Sequence, residues 1–163
     1  MTFRAGHPEV QISGLDLTGL LREVLEKGAA FRFKATGFSM TPIVKDGDII
    51  TVSPCRPRQL RSGDIAAFVS PASDRLVVHR IVGTQDESFF IKGDNAPGYD
   101  GLIHGSRVLG RVTRIERDGC NVRLGLGIER KVLALFSRLR ILPLLLAPAR
   151  KLYRLWTGRT LTT

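Results

Sequence analysis

Residues 76–95 read LVVHRIVGTQDESFFIKGDN, which is two short runs rich in Val, Ile and Phe separated by polar residues. Runs of this composition that are bounded by turn-forming residues are typical of β-strands. The pattern continues on both sides, and the candidate strands are 30–36, 48–53, 64–69, 76–83, 88–92, 107–116 and 120–125. Turn signals lie between them at Asp46-Gly47, Ser62-Gly63, Asn95–Gly98 and Asp118-Gly119. This spacing predicts a mainly β fold with antiparallel strands.

The two ends of the chain have a helical pattern instead. Between residues 14 and 27, Leu and Val recur at helical spacing, and Gly28 follows as a stop signal. After Gly127 one apolar face is made by Ile128, Val132, Leu135, Phe136 and Leu139. The sequence thus predicts an N-terminal segment with a short helix (1–29), a β domain (30–127) and a basic amphipathic helical tail (128–163).

The charge of the chain is concentrated in that tail. The chain has 163 residues, a net charge of +10 and 43% hydrophobic residues, which suits one compact domain with appendages. Residues 128–163 contain eight of the 25 Lys and Arg residues and one of the 15 acids. Their apolar content favours an anionic membrane surface, contacted through residues 128–157, over nucleic acid, for which there is no helix-turn-helix signature. Plain packing of residues 128–142 on the β domain is an equal alternative.

The sequence has no targeting or metal signal. Its first residues, MTFRAGHPEVQISG, contain no basic region followed by an apolar one, and the longest apolar run, 141–149, contains two prolines. We therefore expect neither a secretory signal nor a transmembrane helix, which fits a cytoplasmic or peripheral membrane location. Cys55 and Cys120 have no metal-like spacing, so free thiols and a disulfide both stay open. No metal and no cofactor are expected.

Five short blocks contain the residues suited to chemistry. Taken singly, Ser39 is a turn residue, His79 a strand histidine and Asp94 a loop acid. The blocks are GFSMTP (37–42), DGDII (46–50), SGDIAAF (62–68), VVHRIV (77–82) and KGDN (92–95), the last followed by Asp100. In this order they resemble the signal peptidase I superfamily of S24/S26-type serine peptidases, over roughly residues 35–115. The resemblance implies a signal-peptidase-like antiparallel β domain.

The resemblance also implies roles for individual residues. Ser39 matches the nucleophile, and His79 lies where bacterial enzymes have a lysine base and archaeal and endoplasmic-reticulum enzymes have histidine. A serine hydroxyl needs a base within hydrogen-bond reach, and histidine titrates near neutrality. An aspartate would orient the imidazole, with Asp100 the first candidate and Asp94 the second, although Asp94 has a loop-capping alternative. Lys92 is a weaker alternative base.

Three further positions are expected to face substrate. Gly37, Met40 and Pro42 surround the nucleophile in the motif, and Met40 would pack beneath it. The Ser39 N–H is the natural oxyanion donor. Many signal peptidases have a second, helping serine at the position of Gly37, so its role would fall to Thr36 or be absent.

The expected function is a serine endopeptidase that cuts an extended peptide or protein substrate after a small residue. Most such enzymes have an N-terminal transmembrane anchor, which this sequence does not show. Its absence favours a cytosolic self-processing protease of the repressor type, with Ala5-Gly6 as a weak cleavage site. A third alternative is a catalytically degenerate peptide-binding module, because of Gly37.

Overall fold

The computed structural model describes residues 14–122, 125–127 and 129–138. Eight strands pair only in antiparallel fashion, in the order β1-β2-β7-β3-β4-β5-β6, with β8 beside β7. The strands are β1 (Phe31–Lys34), β2 (Ile49–Ser53), β3 (Ile65–Val69), β4 (Leu76–Gln85), β5 (Ser88–Lys92), β6 (Gly101–His104), β7 (Val108–Arg117) and β8 (Cys120–Asn121). Helices α1 (Gly14–Glu26) and α2 (Arg130–Arg138) flank the sheet. The predicted mainly β fold with a helix on each side is confirmed.

The sheet separates two apolar clusters, and β3 contributes to both. Its residues alternate between the clusters, with Ile65 and Ala67 in one and Ala66 and Phe68 in the other. Successive side chains of a strand point to opposite faces, so a strand covered on both faces must be apolar throughout. All five residues of β3 are buried. This explains why the run IAAFV shows no polar alternation.

Helix α1 covers one face of the sheet. Leu21 and Leu25 are buried in the same cluster as residues of β2, β3 and β7. The helix is followed by Gly28, which has φ +79 and donates its N–H to Leu25 O at 2.9 Å. A left-handed residue of this kind ends a helix, and glycine adopts it without steric strain. The predicted stop is therefore confirmed.

The prediction misses one strand and makes the last one too long, while most other boundaries differ by one or two residues. Residues 101–104, GLIH, form β6, which is not among the candidate strands, because four residues beginning with glycine carry too little pattern to recognise. They become a strand through pairing with β5, opposite residues 88–91. At the other end, β8 has only two residues rather than the predicted run 120–125.

Of the apolar face predicted for helix α2, Phe136 packs against the cluster that contains Leu21 and Leu25, but the fully buried residues of α2 lie beside that face. Leu133 and Ala134 are buried, whereas Val132 and Leu135 are about half exposed, at 51% and 53%. The packed stripe is rotated because Leu133 reaches the α1 cluster. No described helix has the length and apolar character to cross a membrane. The predicted features of residues 139–163, like the Ala5-Gly6 site, lie outside the described residues.

Candidate active site

Ser39 lies in the loop that joins β1 to β2. The loop begins and ends on a pair of main-chain bonds, Ala35 N–H to Asp48 O at 2.7 Å and Gly47 N–H to Ala35 O at 2.9 Å. Gly37 has φ +93, and its N–H donates to a carboxylate oxygen of Asp46 at 2.8 Å. A side chain at this position would be strained, which explains the glycine two residues before the serine. The turn leaves the side chain of Ser39 exposed.

His79 and Asp100 complete a line of hydrogen bonds with Ser39. His79 Nε2 lies 2.8 Å from Ser39 Oγ, and His79 Nδ1 lies 2.6 Å from Asp100 Oδ2. His79 is on β4, opposite Ala66, and is 8% exposed. Asp100 precedes β6 and donates its N–H to Ile91 O at 3.0 Å. The structure thus brings together three residues that are predicted from separate blocks.

This arrangement suits proton transfer from the serine. When the Nδ1–H donates to the carboxylate, Nε2 has a free lone pair for the serine hydroxyl proton. The carboxylate would then stabilise the imidazolium that forms. The three groups have the separation and order that a nucleophile, its base and an orienting acid require.

The loop after β5 is hydrogen-bonded to the main chain of the serine turn. Asn95 donates its N–H to Ser39 O at 2.7 Å, and its side-chain amide donates to Phe38 O at 3.3 Å. A Cβ on Gly93 would lie 2.8 Å from Ser39 O and 3.0 Å from His79 Nε2. Glycine is therefore required for this close approach. Neither Gly93 nor Asn95 is predicted as a site residue, although both belong to the quoted KGDN block.

Asp94 is bound to Arg80 rather than to His79. Both side chains are 0% exposed, and the carboxylate oxygens accept from Arg80 Nε at 2.8 Å and from Arg80 Nη2 at 2.7 Å. The Asp94 N–H also lies 3.4 Å from the sulfur of Met40, the residue after Ser39. Bidentate pairs of this kind fix geometry as well as charge. Asp94 therefore ties the KGDN loop to β4 and to the serine turn.

The side chain of Lys92 is bound to a main-chain carbonyl. It is 1% exposed, and its Nζ donates to Gly93 O at 3.1 Å. The titratable side chain that is hydrogen-bonded to Ser39 Oγ is the imidazole of His79. Within the described residues, no group of three or more His, Cys, Asp or Glu side chains has metal-site geometry.

A protein-family comparison identifies the family of the chain. The model of the Peptidase S24-like family matches residues 2–113. The chain belongs to this family. The predicted relationship to S24/S26-type serine peptidases is thereby confirmed, and the S24-like domain is of the serine peptidase type. No curated protein matches the chain significantly.

A cleft of about 780 Å³ leads up to the serine of the S24-like domain. Its two sides are β1 and the beginning of β4, and its lining includes Met40 and Gly37 but not Pro42. β1 is an edge strand, and β4 pairs with β5 only from Arg80 onward. Both strands therefore present an edge to the cleft.

The main-chain groups of β4 follow a regular alternation along this edge. The Ser70 N–H donates to Arg75 O at 2.9 Å, which fixes the bonded register of β3 with β4. Alternation from this pair turns the main-chain groups of His79 toward β3 and those of Leu76 and Val78 toward the cleft. The S24-like domain thus presents N–H and C=O groups along the cleft beside its serine.

Among the described residues, two titratable groups outside the site have a shifted pKa. Burial raises the pKa of the Cys55 thiol, against the effect of the nearby Arg111 charge. The pKa of Glu129 is lowered because its carboxylate accepts its own backbone N–H and those of Gly125 and Gly127. Both Cys55 and Cys120 are free thiols, which was one of the two alternatives.

Proposed function

We propose that the chain is a serine endopeptidase in which Ser39 is the nucleophile, His79 the general base and Asp100 the orienting acid. The observation that carries this proposal is the line of hydrogen bonds, 2.6 Å from Asp100 to His79 and 2.8 Å from His79 to Ser39. A glycine-permitted turn exposes the serine at the end of a cleft, where a peptide carbonyl can approach it.

The reaction would follow from this geometry in two halves. Ser39 Oγ attacks the carbonyl carbon of the scissile bond while its proton moves to His79 Nε2. The imidazolium returns that proton to the leaving amine as the C–N bond breaks, which leaves an acyl-serine. Water then gives a proton to His79 and attacks the ester, and Ser39 regains its proton as the new carboxyl group leaves.

The oxyanion would be stabilised by the Ser39 N–H and by a second donor. In the described residues no acceptor is bound to the Ser39 N–H, so this group is available to a developing negative charge. Gly37 offers no hydroxyl, but Thr36 is exposed and lines the same cleft. Thr36→Ala should lower kcat if its hydroxyl is the second donor.

We infer signal-peptidase-type specificity for this site, with an extended substrate cut after a small residue. The open edges of β1 and β4 support it, since a peptide between them would gain main-chain bonds on both sides. The apolar lining beneath, which includes Met40 and Val44, suits small apolar side chains.

The test uses peptides that contain an apolar run followed by Ala-x-Ala. Purified protein should cleave them after a small residue, and Ser39→Ala should not, as read by mass spectrometry. Ser106→Ala is the matched control, because Ser106 Oγ also lies 2.9 Å from a histidine nitrogen, that of His104, on the exposed surface. Binding without cleavage would instead indicate a peptide-binding module.

Self-processing is the second candidate function. It is favoured by the family match, which is to an S24-like model and extends to residue 2, across the N-terminal segment. Intact mass should then show loss of an N-terminal fragment at a rate that does not depend on protein concentration. An unchanged mass for the wild type and Ser39→Ala alike would exclude self-cleavage under those conditions.

We further propose that α2 contacts an anionic membrane surface. Val132 and Leu135 expose about half of their surface on one side of the helix, and Lys131 is exposed beside them. Each basic residue near such a surface contributes about 1 kcal/mol. Leu135→Ser should weaken sedimentation with anionic vesicles, whereas Leu102→Ser, at a similarly exposed leucine on β6, should not.

A further inference from the structure

Some of the described residues that follow β8 contact Arg80 and Ile43, which are close in sequence to His79 and Ser39, although the residues after β8 lie outside those that the family model matches. The described residues 125–127 and 129–134 are here called the latch segment. We propose that the latch segment positions the catalytic groups, with Gly125 and Glu129 as its positioning residues. The proposal rests on the proposed peptidase function, because it concerns the alignment of the same serine and histidine.

The latch segment contacts the strand of the base through Arg80. Gly125 O accepts from Arg80 Nη1 at 3.1 Å, and Gly63 O accepts from the same nitrogen at 2.8 Å. Arg80 directly follows His79 and is 0% exposed. A buried guanidinium needs an acceptor for each donor, so withdrawal of Gly125 O would change how Arg80, and with it this part of β4, is held.

The latch segment also contacts the loop of the nucleophile. A Cβ on Gly125 would lie only 2.4 Å from Ile43 Cγ2, so the two residues are already in close contact. Ile43 donates its N–H to Met40 O at 3.0 Å, and Met40 directly follows Ser39. Leu133 of the latch segment packs in the same apolar cluster as Met40 and Ile43. One glycine thus touches the supports of both the serine and the histidine.

Two polar side chains of the latch segment fix its shape and its position. One carboxylate oxygen of Glu129 accepts from Gly125 N–H at 2.8 Å and from Gly127 N–H at 3.1 Å. Arg130 donates to Asp64 at 2.6 Å, and Asp64 is 3% exposed. Glu129 therefore fixes the peptide that presents its carbonyl to Arg80, without touching the serine or the histidine itself.

Displacement of the latch segment should alter alignment rather than substrate binding. The cleft is lined by β1, the serine loop and the first half of β4, and no latch residue is among its lining. A misplacement of reacting groups by about 1 Å can lower the rate on the order of 100-fold. We therefore expect latch variants to lower kcat and to leave KM nearly unchanged.

The sharpest test compares Gly125→Ala with Gly119→Ala in the full-length chain. Both glycines have positive φ, +97 and +77, so both substitutions strain the backbone similarly. Only the new Cβ at Gly125 meets Ile43, because nothing lies within 4 Å at Gly119. Gly125→Ala should lower kcat by about tenfold or more. Its NMR spectrum should show a shifted resonance for the His79 Nδ1 proton, whereas Gly119→Ala should match the wild type in both measurements.

A second pair of variants covers the case in which Gly125→Ala does not fold. Glu129→Ala removes the acceptor of two N–H groups and should reproduce the fall in kcat and the shifted His79 resonance. Glu129→Gln keeps an acceptor oxygen and should restore most of the activity. Glu87→Ala, at an exposed carboxylate in the β4–β5 turn, serves as the control.

The outcomes separate this proposal from the proposed function. Wild-type kcat and an unshifted His79 resonance in folded Gly125→Ala or Glu129→Ala protein would overturn the latch proposal, even if thermal stability falls. If the wild type cleaves no peptide, the peptidase proposal fails. The His79 resonance, compared between these variants and their controls, would still decide whether the latch segment positions the imidazole.

Discussion

Removal of the Asp94 carboxylate should destabilise the fold more than any exposed charge change. Arg80 and Asp94 are both 0% exposed and share two hydrogen bonds, of 2.7 and 2.8 Å. Asp94→Ala would leave a buried guanidinium without its counter-charge, a change that costs about 3–5 kcal/mol. A domain of this kind has a total stability of about 5–15 kcal/mol, so the loss would be a large part of it.

Replacing both Arg80 and Asp94 by apolar residues should destabilise the fold less than Asp94→Ala alone. Replacing a buried ion pair by apolar residues of similar volume is often nearly neutral. Here Arg80 also donates to Gly63 O and Gly125 O, which would lose their donor. Each unsatisfied buried carbonyl costs about 1–3 kcal/mol. We therefore expect Arg80→Met with Asp94→Leu to recover only part of the stability lost in Asp94→Ala.

Urea unfolding followed by circular dichroism measures these differences. Glu87→Ala is the control, because its ion pair with Arg58 is 3.5 Å long and both side chains are mostly exposed. Exposed pairs contribute about 0–1 kcal/mol. If Asp94→Ala lowers the free energy of unfolding by less than about 1 kcal/mol, the buried pair stabilises the fold no more than an exposed pair does, which contradicts the expectation.

Three further outcomes follow from the structure. Gly93→Ala should lower the free energy of unfolding by about 1–3 kcal/mol and reduce peptide cleavage, because its Cβ would press on Ser39 O; urea unfolding with wild-type values would contradict this. Asp100→Asn should lower kcat on the order of 10³–10⁴-fold, as steady-state kinetics would show, since the imidazole loses its orienting carboxylate. The lowered pKa of Glu129 stabilises the fold fully above the ordinary carboxyl pKa, and this contribution disappears as the pH falls through the lowered value. The stability gap between the wild type and Glu129→Gln should accordingly narrow in acid, and a gap that does not vary with pH would argue against it.

The sequence identifies the proposed reacting residues better than it identifies the residues that hold them in position. Ser39 and His79 stand out because ordered motif blocks contain them, and Asp100 because it follows the last block. Their distances depend on how β4 and two loops pack. Nothing in the block VVHRIV shows that the side chain of Arg80 is buried, since charged side chains are seldom fully buried. Its burial depends on carbonyls that are distant in sequence, at residues 63 and 125.

The helices show the same limit. Helix α1 is predicted closely, because its apolar residues have helical spacing and a glycine ends it. For α2 the helix itself is predicted, but its buried face is not. Val132 and Leu135 have the same spacing as a core-facing stripe, and only the packing of Leu133 shows which side is covered. Periodicity gives the width of an apolar face more reliably than its rotation.

Covalent labelling would show whether the hydroxyl of Ser39 is activated by His79. The full-length protein would be treated with a small fluorophosphonate, which reacts with an activated serine hydroxyl, and the labelled residue found by mass spectrometry. We expect one label per chain, on Ser39, no label in Ser39→Ala and a much slower reaction in His79→Ala. Labelling that is absent from the wild type, or equally fast in His79→Ala, would contradict a serine activated by histidine.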